Sequence, residues 1–161
     1  MTEIAIIYHS ESGNTADVAA CIREGAEGAE GVSVSAMSVD SIDEEAANRA
    51  CAVIVGCPTY AGCCSWQIKR WVDTTKLKLA GKIGAVYATE NFLGGGADFS
   101  QMVVVSGLLV RGMLVYSGGT SHGKPFTHFG AVTIARGDDE QRERARIFGR
   151  RIADKALELF G

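Results

Sequence analysis

A length of 161 residues suits one domain with a core of its own, and 47% apolar with 22% charged residues marks an ordinary globular chain. Lys and Arg total 16 against 19 Asp and Glu, a net charge of −3 that excludes the clustered basic excess nucleic-acid binding needs. No apolar run approaches the ~20 residues that span a bilayer. Ile4 to Tyr8 follows acidic Glu3 with no basic flank or small-residue cleavage site, so it reads as a strand and not as a signal peptide. The five cysteines (Cys21, Cys51, Cys57, Cys63 and Cys64) are odd in number and hold no C-x-x-C pair, so free thiols and a cytoplasmic location are expected.

The apolar pattern alternates between short continuous runs and longer stretches with helical spacing. After the strand Ile4 to Tyr8, Thr15 to about Ala29 predicts a helix with Val18, Ile22, Gly25 and Ala29 on one stripe. Val32 to Met37 alternates with period two, as an edge strand with one wetter face does. A short acidic helix around Asp43 to Asn48 precedes Cys51 to Gly56, whose unbroken apolar run belongs at the centre of a sheet. Ser65 to Thr75 predicts a third helix and Ile83 to Ala88 a fourth strand. Asp98 to Leu109 predicts a helix opened by capping-box spacing between Asp98 and Gln101, and Met113 to Ser117 is the expected fifth strand. A glycine-rich connection, Gly118 to Gly130, leads to a long final helix opened by Asp138 or Asp139, with Ala145, Phe148, Ile152 and Leu159 on one face. Strands alternating with helices give an α/β chain: a parallel sheet covered on both faces, with a crevice at the carboxyl ends of its strands. With no repeat, linker or low-complexity tract, residues 1–161 are expected to form a single domain.

Three loops at that edge carry unusual chemistry. Between strand one and helix one, Ser10, Ser12, Asn14 and Thr15 supply hydroxyls and an amide, and Gly13 permits a tight backbone. The free N–H groups of a helix N-terminus point at the same spot, so the loop suits either a phosphate or ordinary helix capping. It is neither a Walker loop nor a dinucleotide turn. After strand three come Pro58, Thr59, Tyr60, Ala61 and Gly62: a stiff backbone, an aromatic face and room for close approach to a flat ligand. Cys63 and Cys64 follow as a tempting redox pair, but adjacent cysteines bridge only with strain and no basic neighbour in the sequence activates them, so they read as packing thiols. After strand four, Thr89, Glu90, Asn91, Gly94, Gly95 and Gly96 would let backbone amides approach one ligand edge. His122 and His128 lack the supporting ligands of a metal site, and His9 suits packing or capping.

At these loops the chain resembles the flavodoxin-like flavoproteins, and among them the NAD(P)H:quinone oxidoreductases named for tryptophan repressor-binding protein. The resemblance rests on Ser10-x-Ser-Gly-Asn-Thr15, Gly56-x-Pro-Thr-Tyr-x-Gly62, Thr89 with Gly94-Gly95-Gly96, and Phe129-Gly-Ala-Val-Thr-Ile-Ala135, and it spans essentially the whole chain. It implies a five-stranded parallel sheet in the order 2-1-3-4-5 and noncovalent FMN. The phosphate would sit on Ser10 to Thr15 and the ring between Pro58 to Gly62 and Thr89 to Gly96. It also implies electron transfer from NAD(P)H through the flavin to a quinone or similar flat acceptor, and a homo-oligomer, dimer or tetramer.

Three departures accompany the resemblance. Only Ser38 to Arg49 intervenes between strands two and three, where those enzymes carry a longer segment. Val110-Arg111 replaces a His pair before Gly112-Met113, so Arg111 either steadies a reduced, anionic flavin or is a solvated helix-end residue. Glu90 would set a carboxylate beside the ring and lower the flavin's potential. The alternative function is a flavodoxin-type electron carrier with a redox protein as partner, and a third is a flavin-storage or regulatory module. Such carriers favour an acidic docking face, against which the basic last helix (Arg142, Arg144, Arg146, Arg150 and Arg151) weighs mildly.

Overall fold

The Ile- and Val-rich runs assemble into one central sheet in a computed structural model that describes residues 1–161. In chain order the elements are β1 (Thr2–Tyr8), α1 (Asn14–Glu27), β2 (Val32–Ser38), α2 (Glu44–Arg49), β3 (Ala52–Tyr60), β4 (Cys63–Cys64), α3 (Trp66–Thr74), β5 (Ile83–Glu90), α4 (Ala97–Val110), β6 (Leu114–Val115), β7 (Ala131–Ile134) and α5 (Asp139–Phe160). The main path runs β2-β1-β3-β5-β6, all parallel, which is the expected 2-1-3-4-5 order with β5 in fourth place. Strand β2 lies at an edge and β3 near the centre, as their apolar patterns require.

The fifth position differs from expectation. Instead of one strand over Met113 to Ser117, β6 pairs with the first half of β5 at Ile83 and Gly84. Strand β7 pairs with the second half from Tyr87 to Glu90. The segment between them leaves the sheet, because its glycines and Pro125 offer no apolar run to pair. A further small strand, β4, returns antiparallel on the end of β3.

Alternation along each strand divides the core into two layers. Ile4, Ile6, Ile54, Ile83 and Tyr87 meet Val18 and Ile22 of α1 and Phe148 and Ile152 of α5. Ala5, Ile7, Val53, Val55 and Val86 meet Ile68 and Trp71 of α3 and Val104 and Leu108 of α4. Leu159 departs from the predicted stripe and stays half-exposed in the last turn of α5. Asp43 and Asp138 cap α2 and α5, accepting from Ala46 N–H at 2.9 Å and Gln141 N–H at 2.8 Å. The capping box predicted for α4 does not form: the helix starts at Ala97, and Gln101 is buried with its amide donating to the Ala131 carbonyl at 3.0 Å. No helix is long and apolar enough to cross a membrane.

The arginines of α5 are not a free basic face. Arg146 pairs with Glu24 at 2.8 Å and Arg150 with Asp154 at 2.7 Å, while buried Arg151 donates to the Pro125 carbonyl at 2.8 Å. The charge argument against a carrier therefore weakens, since these cations are largely matched within the molecule.

Candidate functional site

Three loops meet at the carboxyl edge because the strands beneath them end together. Tyr8 of β1 lies opposite Gly56 of β3, and Pro58 of β3 lies opposite Thr89 of β5. Chain from β1 enters α1 through Gly13, whose φ of 89° is left-handed and unsuited to a residue with a Cβ. Ala16 N–H is taken by Ser10 Oγ at 3.2 Å, but the N–H groups of Ser12, Gly13, Asn14 and Thr15 find no acceptor within the molecule. A Cβ built on Gly13 would meet nothing within 4 Å, so these donors border open space. Uncommitted donors at a helix N-terminus are what a phosphate dianion requires, and the loop fits that group.

Thr15 plays a different part from its neighbours. Its hydroxyl is buried and shares a hydrogen bond with Thr89 Oγ1 at 2.9 Å, while its carbonyl accepts from Tyr87 Oη at 2.8 Å. Tyr87 was not legible as a site residue, because its apolar neighbours gave only a strand signal. Tyr87→Phe is expected to cost about 0.5–1.5 kcal/mol by removing a buried hydrogen bond that joins β5 to α1, measured by urea unfolding of the apo-protein. Arg136 was missed as well. It reaches Asp17 in the first turn of α1 at 3.7 Å and brings a cation beside a loop that has none of its own.

The second loop is a hairpin. Strands β3 and β4 pair at Thr59 with Cys64 and Tyr60 with Cys63, and the turn between them is Ala61-Gly62, both with positive φ. Pro58 is buried, Thr59 and Tyr60 are half-buried, and Ala61 and Gly62 are exposed at the tip. Burial, with Glu11 close by, pushes the Tyr60 phenol above its usual range and keeps it neutral. Ser65 caps α3, as its place before the helix implied, with Ile68 N–H at 3.5 Å.

The third loop closes against the second. Gly96, with φ 109°, sits so near the hairpin that a Cβ on it would fall 2.7 Å from the Gly62 carbonyl oxygen. Thr59 Oγ1 and Ser100 Oγ, 3.1 Å apart, join β3 to α4 just below. Asn91 and Gly94 are exposed, and Gly95 is half-buried. Glu90 corrects an expectation. Its side chain is buried and Oε2 accepts from Ala97 N–H at 3.0 Å, so the carboxylate caps α4 instead of standing free beside a ring. All sixteen residues singled out from the sequence lie in these three loops and the strand and helix ends they join.

Other candidates separate from the site. Arg111 is neither a flavin contact nor a solvated residue: its guanidinium donates to the Val72, Asp73 and Thr75 carbonyls at 2.7–3.2 Å and holds the end of α3. His9 is buried under the first loop with neither ring nitrogen hydrogen-bonded, and it packs edge-on against Tyr60 with ring centroids 6.3 Å apart. His122 Nε2 is 2.9 Å from Tyr116 Oη.

All five cysteines are free thiols. Burial pushes Cys64 up to about 11, with Cys63 adding to the shift, and burial raises Cys57 further still. A disulfide reagent at about pH 8 is therefore expected to reach Cys57 and Cys64 only after denaturation, because a protonated buried thiol is a poor nucleophile. Five rapid equivalents from the native protein, counted by absorbance, would contradict this.

The flavodoxin family model matches residues 6–108. A flavodoxin from Clostridium saccharobutylicum is 40% identical over 98% of this chain and 99% of its own length. An NAD(P)H dehydrogenase (quinone) from Archaeoglobus fulgidus is 26% identical over 99% of this chain and all of its own, in an alignment of 192 positions. The crystal structure of a flavodoxin, WrbA-like protein from Agrobacterium tumefaciens superposes with a TM-score of 0.79 at 24% identity, covering 98% of this chain and 99% of that one. With the order of the sheet, the free N–H groups before α1 and a match over most of its length, this chain belongs to the flavodoxin family, whose cofactor is FMN.

Proposed function

We propose that this protein is an electron carrier that exchanges electrons between its FMN and a protein partner. The observation that carries the reading is an unroofed site: Phe92 and Leu93 stand exposed at the rim of the third loop, and the hairpin tip at Ala61-Gly62 is exposed opposite. An open rim lets a partner approach a flavin edge directly. The full-length likeness to a flavodoxin supports it, as does the chain's shorter length, since the alignment with the quinone-reducing relative runs to 192 positions against 161 residues here.

In this reading the N–H groups from Ser12 to Thr15 hold the phosphate, with Ser10 supporting the loop. The ring lies between the Pro58–Gly62 hairpin and the Thr89–Gly96 loop. Bound FMN supplies one- and two-electron chemistry at its ring. The chain's own work is to fix that ring: Gly96 against Gly62 sets the width of the slot, and Thr15 with Thr89 ties its floor to the phosphate loop. Neutral Tyr60 offers an aromatic face without adding charge. The reducing cytosol suits five unpaired thiols.

A second reading, reduction of a quinone by NAD(P)H, is favoured by the quinone dehydrogenase likeness across the whole chain. Anaerobic addition of NADH or NADPH to the FMN-loaded protein separates the two. The carrier is expected to stay yellow with either nucleotide, to bleach with dithionite, and to reoxidise on contact with a redox protein. Rapid bleaching by nicotinamide followed by reoxidation with benzoquinone would establish the enzyme instead.

A further inference from the structure

The phosphate loop starts from an unfavourable charge balance. No Lys or Arg occurs before Arg23, while Glu11 lies in the loop itself and Asp17 in the first turn of α1. Asp17 stands about 3–5 Å further along the helix than Asn14 and Thr15, at 1.5 Å per residue, and its carboxylate is drawn to the same N-terminus as a phosphate. A phosphate monoester carries nearly two negative charges near neutral pH. The free N–H groups of the loop must hold it in the presence of both carboxylates.

Arg136 is the one Lys or Arg that forms an ion pair with either of them, its Nε lying 3.7 Å from Asp17 Oδ2. That separation is too long for a hydrogen bond, so the guanidinium fork keeps its N–H donors uncommitted. As a surface pair it adds little to stability. The turn that carries Arg136 is firmly held all the same. Ala135 N–H donates to the Glu90 carbonyl at 2.7 Å, Gly137 N–H to the Ile134 carbonyl at 2.9 Å, and buried Thr133 Oγ1 to the Ala135 carbonyl at 2.9 Å. Ala135 and Ala61 are the two residues other than glycine with positive φ, both at 50°, and Ala61 is the tip of the ring-side hairpin. Backbone strain of this kind persists where the position of a residue matters.

The geometry points to Arg136 as the residue that recognises the flavin's phosphate by charge, offsetting Asp17 and setting a cation against the bound dianion. The inference rests on the placement of that phosphate at Ser10 to Thr15. A planar fork with free donors matches phosphate oxygens better than a point charge does. The Ala135–Glu90 hydrogen bond fixes this cation to the strand end from which the third loop leaves, so its position is set by the same β5 that positions the ring. A merely structural ion pair would serve every flavin alike. A charge set against the phosphate serves only the phosphorylated one.

Dissociation constants for FMN and riboflavin, measured by flavin fluorescence at low and high salt, test it. Arg136→Gln is expected to raise that for FMN about 10-fold at low salt while that for riboflavin stays within about twofold. The salt dependence of FMN binding is expected to flatten in the same variant, and Arg136→Lys to restore most of the loss. Adding Asp17→Asn to Arg136→Gln is expected to recover part of it, because the carboxylate left unmatched is then gone. Unchanged FMN binding by Arg136→Gln overturns the inference. So does an equal loss of riboflavin, which would mean that the residue only supports the turn. Gly13→Asp in the same titration separates two failures. If it discriminates between the ligands and Arg136→Gln does not, the loop holds the phosphate without Arg136. If neither discriminates, the phosphate placement falls as well.

Discussion

Gly149→Ala is expected to destabilise the apo-protein by about 3 kcal/mol, lowering Tm by roughly 6–12 °C for a chain of this size. In an ordinary helix interior the same change stabilises by about 0.5–1 kcal/mol, because alanine loses less backbone entropy on folding. The sign reverses here because α5 crosses α1 at backbone contact. A Cβ on Gly149 would sit 2.0 Å from the Ile22 carbonyl oxygen, and a Cβ on Gly25 would sit 1.9 Å from that of Arg146. Backbone cannot swing aside as a side chain can, so the helices must part. That separation loosens Ile22, Phe148 and Ile152, which fill the core beneath the crossing. Urea unfolding without FMN gives the cleanest reading, since bound ligand adds stability of its own. A neutral or stabilising result would mean that α1 and α5 stand further apart than described.

Gly13→Asp is expected to raise the dissociation constant for FMN about 100-fold or more while changing that for riboflavin far less. Two effects act together. Residue 13 holds a φ of 89°, where a side chain costs about 1–2 kcal/mol. A carboxylate there also stands against the phosphate: at ~5 Å and an effective dielectric near 20, two unit charges repel by about 3 kcal/mol. Because nothing lies within 4 Å of the added Cβ, the loss comes from strain and charge and not from a clash. Riboflavin has no phosphate and feels only the strain. Thr15→Ala is expected to discriminate less sharply, since its hydroxyl is spent on Thr89 and its removal disturbs the ring's floor as well as the phosphate loop. Flavin fluorescence titration with both ligands checks each variant, and equal losses for FMN and riboflavin at Gly13→Asp would remove the phosphate from this loop.

Local pattern determined a good deal by itself. Apolar runs of period two or unbroken length gave β1, β2, β3 and β5 and placed β6, but not β7. Helical spacing gave all five helices to within a few residues, and Asp43 and Asp138 marked two starts by their capping oxygens. The phosphate loop was legible too, because hydroxyls, a glycine and a helix start occupy one continuous stretch of six residues, Ser10 to Thr15. The fold and the cofactor's family followed from these together with the motifs of the other two loops.

What tertiary structure alone decided is everything that joins residues distant in sequence. Glu90 looked like a free charge until its helix was in place to receive it, and Arg111 until the end of α3 came beneath its guanidinium. Tyr87 hides its hydrogen bond to Thr15 inside an apolar strand, across 72 positions of chain. The fifth strand split because pairing with β5 is possible at both of its ends while the glycine-rich segment between cannot pair. Arg136 gave no sign of its place in the sequence, because only the turn after β7, bound to Glu90, carries it to the first turn of α1. A chain's local pattern states what each segment can bury, and the packed molecule decides which of those faces finds a partner.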